Sequence, residues 1–97
     1  MMRLTEDEIK IIITTINSIF GKTTVHLFGS RIDENKKGGD IDLFILPHER
    51  TKLLEKKIKA ASKLERILCK PVDIIVHRDF SRPIEQEILK ANLLLSA

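Results

Sequence analysis

A long amphipathic segment lies between two short apolar runs, and this arrangement constrains the fold more than any other feature of the sequence. Residues 51–69 place apolar side chains three or four positions apart, which predicts a helix, and Pro71 ends it. The flanking runs, residues 40–46 and 72–76, have the length and the branched side chains of strands. Two strands joined by a crossover helix of this length lie parallel in one sheet. The sequence therefore predicts a pair of parallel strands at its centre.

The remaining segments complete a layered domain around that pair. Thr5 and Glu8 form a capping box ahead of an apolar helical stripe, and Gly21 ends that helix. Residues 25–28 predict a further strand, and residues 83 to about 94 predict a final helix that opens on a proline. The predicted order is helix, strand, loop, strand, helix, strand, helix. We expect an α/β (α+β) fold in which a small mixed β-sheet is flanked by helices.

Length and cysteine content limit what such a domain can be. The 97 residues suffice for one domain, so we expect residues 1–97 to form a single unit. The single cysteine, Cys69, excludes an internal disulfide and a zinc site built from several cysteines. No apolar run approaches the roughly 20 residues that span a membrane, and the first residues lack a signal-peptide pattern. These features predict a cytoplasmic protein with no membrane partner.

Three aspartates occupy positions in or beside the predicted strands. Asp40 and Asp42 are one residue apart, so on a strand both would point to the same face, and Asp73 interrupts the apolar run 72–76. Neighbouring carboxylates repel each other unless solvent, a partner or a cation neutralises them. Hard oxygen ligands of this kind suit Mg²⁺ or Mn²⁺. Taken alone, the Asp40–Asp42 pair is equally consistent with aspartates that face solvent at the start of a strand.

A glycine-serine corner adds a second chemical group to the same edge of the predicted sheet. If the strand at 25–28 runs antiparallel to the strand at 40–46, the corner formed by Gly29 and Ser30 lies beside the aspartates. A glycine lets a phosphate approach the backbone closely, the hydroxyl can bind it, and Arg31 adds positive charge. Groups that bind phosphate, next to carboxylates that can bind metal ions, are what phosphoryl or nucleotidyl transfer requires.

Three segments together resemble a known family. They are Val25-His-Leu-Phe-Gly-Ser-Arg, Gly38-Gly-Asp-Ile-Asp-Leu-Phe-Ile and Val72-Asp-Ile-Ile-Val. This pattern, which spans residues 27–76, resembles the DNA polymerase β-like nucleotidyltransferase superfamily. Within it, the short length is most similar to the minimal nucleotidyltransferase (MNT) group. Many MNT proteins are encoded beside a HEPN-domain partner and act as the antitoxin of a toxin–antitoxin pair. The resemblance implies the polymerase β-like nucleotidyltransferase fold.

The resemblance also implies a role for each matching residue. The residues that would bind the phosphates of the nucleotide are Gly29, Ser30 and Arg31. Asp40 and Asp42 would bind two Mg²⁺ ions, one on the triphosphate and one aligning the acceptor hydroxyl. Asp73 would ligate the catalytic metal and help to deprotonate that hydroxyl. Attack on the α-phosphorus would then release pyrophosphate.

The family resemblance further implies a substrate and a partner. It implies transfer of AMP from ATP to a hydroxyl group, which in the antitoxin branch belongs to a tyrosine of the HEPN toxin. The reaction would silence a ribonuclease, and the two proteins would form an assembly. One alternative is a non-catalytic antitoxin that neutralises its partner by forming a complex. A weaker alternative is an enzyme that modifies a small hydroxylated molecule.

Two surface features leave alternatives open. Six basic residues follow one face of the segment 52–70, namely Lys52, Lys56, Lys59, Lys63, Arg66 and Lys70. This row is either a surface for RNA or an acidic partner, or a solvated helix face. A net charge of only +3 and the absence of Trp and Tyr argue against direct nucleic-acid binding. Three consecutive leucines at 93–95 either complete the core or contribute to a partner interface.

Overall fold

The computed structural model describes residues 4–29 and 40–97, and these residues form a single four-stranded sheet with three helices. The elements in chain order are α1 (Glu6–Phe20), β1 (Thr23–Phe28), β2 (Ile41–Pro47), α2 (Leu53–Leu68), β3 (Val72–Val76), α3 (Pro83–Lys90) and β4 (Asn92–Ser96). Across the sheet the strand order is β3-β2-β1-β4. The mixed sheet with flanking helices that the sequence predicts is confirmed.

The pairing of the strands determines which chain segments meet at one edge. β1 runs antiparallel to β2, with Phe28 opposite Asp42, and β3 runs parallel to β2. The parallel pair is the one that the crossover helix α2 requires, because α2 returns the chain to the same end of the sheet. The end of β1 and the beginnings of β2 and β3 therefore lie together.

The first helix begins and ends as its sequence predicts. The Thr5 hydroxyl accepts a hydrogen bond from the Glu8 N–H at 3.1 Å, and the Glu8 carboxylate accepts one from the Thr5 N–H at 3.0 Å. The same carboxylate binds the Lys70 ammonium at 2.7 Å, which ties the start of α1 to the segment after α2. The hydrogen bond from Lys70, reinforced by the Thr5 N–H, lowers the pKa of Glu8 although partial burial opposes it.

One face of the sheet carries the main hydrophobic core. On this face α1 and α2 pack against the alternate residues of β1, β2 and β3 that point toward them. Its completely buried members include Ile12, Ile16, Val25, Leu27, Leu43, Ile45, Leu64 and Ile74. Burial of large aliphatic groups on this side contributes about 1.5–3 kcal/mol for each side chain. By strand alternation, Asp42, Phe44 and Asp73 project from the opposite face of the sheet.

The predicted final helix to about Leu94 is wrong at its end, because α3 stops at Lys90 and residues 92–96 form β4. Asn92 explains the change of structure: its amide Nδ2 donates to the Ile88 carbonyl at 3.1 Å, and its Oδ1 is 2.8 Å from Nδ1 of His26. The first contact satisfies a carbonyl group at the C-terminal end of α3, and the second attaches the following segment to β1. Pairing with β1 then continues through the leucines.

The three consecutive leucines accordingly lie on an edge strand. Leu95 packs against the main core, whereas Leu93 and Leu94 are 39% and 53% exposed. The leucines thus contribute to the core through one member only. Among the helices that the structure describes, none combines the length and the apolar character that crossing a membrane requires.

Candidate active site

Two aspartates lie side by side on neighbouring parallel strands. Asp42 of β2 is in register with Asp73 of β3, and each is the second residue of its strand. Residues in register on adjacent strands project from the same face, and their side chains are neighbours. This placement confirms the predicted meeting of the two carboxylates at the beginnings of adjacent strands. The pair forms the centre of the candidate site.

The electrostatics at Asp42 reflect its burial and the negative charges beside it. Partial burial raises the pKa of Asp42 above its ordinary value, and the charges of Asp73 and Asp40 raise it further. Asp40 is exposed and precedes β2 directly, so it lies close enough to act on Asp42. A cluster of this kind favours the binding of a cation, which would remove the mutual repulsion.

A glycine packs directly against the Asp42 carboxylate. Gly29 follows the last residue of β1 and has a backbone φ of +78°. A Cβ atom at this position would lie 2.3 Å from Oδ2 of Asp42, far inside van der Waals contact. The glycine is therefore required for two reasons, its left-handed backbone and the approach of a carboxylate. The same absence of a side chain keeps the backbone of the corner accessible next to the acidic pair.

We expect Gly29→Ala to displace the Asp42 carboxylate as well as to strain the backbone. Gly21 provides a matched control, since its φ is +79° but a Cβ there would meet nothing within 4 Å. Each alanine variant should lose about 1–3 kcal/mol of unfolding free energy in urea titrations, from backbone strain. Only Gly29→Ala should also weaken binding at the acidic pair, measured as the Mg²⁺-induced rise in Tm. Equal Mg²⁺ responses in the two variants would contradict this role of Gly29.

The other predicted site residues are only partly accounted for. Ser30 and Arg31, predicted to bind phosphate, lie outside the described residues, as does the Gly38-Gly39 pair. Within residues 4–29 and 40–97, no group of three or more Asp, Glu, His or Cys side chains is arranged to hold a metal ion. What the structure brings together is the Asp42–Asp73 pair, with Gly29 against it and Asp40 at the preceding position.

Next to the acidic pair, the same face of the sheet carries a row of rings. Phe44 is 1% exposed, and its ring centroid lies 6.0 Å from that of His26 and 6.1 Å from that of His77. His77 also stacks on Phe80, with centroids 4.1 Å apart. His77 shares the face of Asp73 but lies beyond the other end of β3, so it is not part of the carboxylate pair.

A buried glutamate that the sequence analysis missed holds this row to α3. Glu85 is completely buried, and one carboxylate oxygen accepts a hydrogen bond from Nδ1 of His77 at 2.6 Å. The other oxygen accepts from the backbone N–H groups of Arg78 and Asp79 at 2.9 and 3.0 Å. A signal was present in the sequence: Glu85 lies three residues before the buried Ile88, on the apolar side of the helix.

The sequence as a whole matches a known family. The family model described as "Polymerase beta, Nucleotidyltransferase" covers residues 7–97, nearly the entire chain. The chain belongs to the polymerase β nucleotidyltransferase family. Membership confirms the resemblance seen in the three strand segments, and the observed sheet agrees with the fold of that family. No protein of curated function is similar enough in sequence to count as a match.

Solved structures of toxin–antitoxin complexes contain the same fold. A chain in the complex of a tri-AMPylated Shewanella oneidensis HEPN toxin with MNT antitoxin matches at 22% identity and a TM-score of 0.75, over 95% of this chain and 71% of that one. A toxin–antitoxin structure with AMP-PNP matches at 24% identity and 0.76, over 90% and 71%. The toxin–antitoxin MntA-HepT matches at 22% and 0.74, over 94% and 71%. At these identities the likeness establishes the fold.

Proposed function

We propose that this member of the polymerase β nucleotidyltransferase family transfers AMP from ATP to a hydroxyl group in an Mg²⁺-dependent reaction. The acceptor is a tyrosine of a HEPN toxin, which the reaction silences, so the protein is the antitoxin. The proposal rests on one observation: Asp42 and Asp73 are neighbours at the start of two parallel strands, and Gly29 packs against Asp42.

The Asp42–Asp73 pair supplies the oxygen donors that divalent cations take, although the described residues form no group of three such ligands. Asp42 and Asp73 offer adjacent carboxylates, and Asp40 adds a third negative charge close by; burial raises the pKa of Asp42 most, and the two neighbouring charges raise it further. Oxygen ligands with this excess of charge suit Mg²⁺. We assign Asp40 and Asp42 to two Mg²⁺ ions and Asp73 to the catalytic one. When bound, the metal would supply charge neutralisation and Lewis acidity at the triphosphate.

The chain's own residues would position the reactants. The backbone at Gly29, with the Ser30 hydroxyl and the Arg31 guanidinium, would bind the β- and γ-phosphates. Asp73 would accept the proton of the acceptor hydroxyl. The acceptor oxygen then forms a bond to the α-phosphorus, and the bond from that phosphorus to the pyrophosphate oxygen breaks. The products are an AMP ester of the acceptor and free pyrophosphate.

The identity of the partner is supported by the structures that share the fold. One pairs an MNT antitoxin with a HEPN toxin that carries three AMP groups, and another toxin–antitoxin structure contains the ATP analogue AMP-PNP. The chain itself offers no second domain for an acceptor in its described parts, since all described elements belong to one sheet with its helices. A separate protein that presents its own tyrosine fits this architecture.

The test is AMP transfer to a co-expressed HEPN-domain protein. The purified pair should incorporate label from ATP labelled in the α-phosphate when Mg²⁺ is present and not when it is chelated. The double variant Asp40→Asn/Asp42→Asn should lose the incorporation yet still copurify with the HEPN protein. Neutralisation of the toxin by a double variant that transfers no AMP would instead support a non-catalytic antitoxin. Unchanged labelling in that variant would refute the assigned site.

A further inference from the structure

A groove of about 300 Å³ lies at the end of β3 that is remote from Asp73. It is lined by Leu53, Leu54 and Lys57 of α2, by Ile75 and Val76 of β3, and by Arg78 and Arg82 of the following segment. Asp73 is the second residue of β3, whereas the groove begins at Ile75, about 7 Å further along the strand, and extends beyond the end of β3 to Arg78 and Arg82. The groove is therefore a separate feature of the surface.

The charges around the groove have one sign. All three charged residues that line it, Lys57, Arg78 and Arg82, are basic. Arg82 lies 3.5 Å from the buried Glu85 carboxylate, whereas neither Lys57 nor Arg78 forms an ion pair with any residue in the described segments. Two cations that flank an apolar floor without carboxylate partners create a local positive potential, which favours a negatively charged ligand.

The apolar part of the groove continues onto an exposed ridge. Leu54 is 69% exposed and Ile58 is 62% exposed, and the two are four residues apart on one side of α2. Side chains at this spacing are neighbours on a helix surface, so they form a continuous apolar strip beside the groove. Large aliphatic groups exposed next to one another mark a protein contact surface more often than a nucleic-acid surface.

We propose that this groove docks an acidic amphipathic helix of a partner protein. Apolar side chains of the helix, spaced by three and four residues, would enter the groove and cover Leu54 and Ile58. Its carboxylates would pair with Lys57 and Arg78. RNA is the less suitable ligand, because none of the groove-lining residues is aromatic and the exposed side chains of Leu54 and Ile58 offer no polar contact to a base or a phosphate. The docking surface does not depend on the chemistry assigned to Asp42 and Asp73.

The test is selection from a random library of displayed peptides about 15 residues long, long enough to form a helix. Peptides enriched on the wild-type protein should combine Asp and Glu with Leu, Ile or Phe at helical spacing. Binding of the best peptide, measured by fluorescence anisotropy, should weaken about tenfold or more in Lys57→Glu/Arg78→Glu. Leu54→Gln should weaken it as well, since it removes an apolar anchor from an exposed position. Circular dichroism would show whether each variant is folded. If Lys57→Glu/Arg78→Glu is unfolded, Lys57→Ala/Arg78→Ala takes its place.

Two control variants separate the groove from the rest of the surface. Lys63→Glu/Arg66→Glu makes the same change of net charge as Lys57→Glu/Arg78→Glu at two exposed positions of α2 outside the groove, and Asp42→Asn removes a carboxylate of the acidic pair. Both should bind the selected peptide within about twofold of the wild type, allowing for long-range electrostatics. Failure to enrich acidic peptides, or equal binding by Lys57→Glu/Arg78→Glu and the wild type, would overturn the proposal. So would an RNA oligonucleotide that binds this groove in place of a peptide.

Discussion

Asp42→Asn should slow AMP transfer severely and at the same time stabilise the metal-free protein. Replacing one ligand oxygen with an amide nitrogen removes several kcal/mol of charge stabilisation at the reacting phosphate. At about 1.4 kcal/mol for each factor of ten, the rate should fall about a thousandfold. The measurement is the initial rate of label transfer from ATP to the HEPN partner. Asp7→Asn, on the exposed first turn of α1, is the matched control and should keep the wild-type rate.

The stability gain follows from the sign of the pKa shift. The pKa of Asp42 is higher in the folded protein because burial, Asp73 and Asp40 disfavour its charged form. Its contribution to stability is therefore largest below the unfolded-state pKa and is lost as the pH rises through the folded-state pKa. At neutral pH the ionised group destabilises the fold, and Asn removes that cost. Because the side chain is partly exposed, we expect a gain of about 0.5 kcal/mol in urea unfolding with a chelator present.

Added Mg²⁺ should reverse the ranking of the two proteins. A ligand that binds only the folded state increases the free energy of unfolding once its concentration exceeds Kd. The Tm of the wild type should therefore rise on titration with Mg²⁺. Asp42→Asn should gain little, because it lacks one of the ligands. A wild-type protein that is more stable than Asp42→Asn in chelator and indifferent to Mg²⁺ would contradict a metal site at the acidic pair.

Glu85→Ala should cause the largest loss of stability of any substitution considered. The carboxylate binds His77 and two backbone N–H groups in a completely buried position, with Arg82 at 3.5 Å. Breaking a buried ionic network by removing one member costs about 3–5 kcal/mol. That is a large share of the roughly 5–15 kcal/mol that stabilises a domain of ordinary size. Urea unfolding of Glu85→Ala should show this loss, or the variant should fail to fold.

Glu85→Gln keeps the prediction testable if the alanine variant does not fold. Burial by itself would raise the pKa of Glu85, but the hydrogen bonds from the Arg78 N–H, His77 and the Asp79 N–H outweigh it and lower the pKa below 4.5. The stabilisation is thus complete above the unfolded-state pKa and is lost as the pH falls through the folded-state pKa. Glutamine cannot titrate, so the Glu85→Gln protein should be less stable than the wild type at neutral pH. Its free energy of unfolding should also change less than that of the wild type below pH 4.5.

Glu87→Gln controls for a general effect of removing a glutamate from α3. Glu87 pairs with Lys90 at 2.9 Å, but both side chains are about 70% exposed, so the pair contributes little. Its variant should unfold within about 0.5 kcal/mol of the wild type. A Glu85→Gln protein as stable as Glu87→Gln would show that the buried hydrogen bonds do not hold α3 against the sheet.

The central strands and the acidic pair could be predicted because local pattern and topology agree. A helix of the length of α2 forces β2 and β3 to be parallel, and with this connection Asp42 and Asp73 have equivalent positions in their strands. The capping box at Thr5 likewise involves only neighbours in sequence. In these cases the interactions that decide the structure lie within a few residues or follow from a single connection.

β4 and Glu85 could not be predicted on the same basis. The apolar run at 93–95 fits a helix or a strand equally, and the contact that decides it joins Asn92 to His26, 66 residues away. Glu85 shares a side of its helix with Ile88, but burial of a carboxylate is stabilised only by partners that tertiary structure supplies, here His77 and the turn after it. Long-range pairing determines both features.

Label transfer from two forms of ATP distinguishes adenylyl transfer from the other reactions that this acidic site could support. The protein is incubated with its HEPN partner and Mg²⁺, and with ATP labelled in either the α- or the γ-phosphate. We expect the partner to acquire the α-label on a tyrosine and no γ-label, with release of pyrophosphate. Transfer of the γ-label would indicate a kinase. Absence of transfer in the wild-type pair, together with intact toxin neutralisation, would contradict a catalytic role for Asp42 and Asp73.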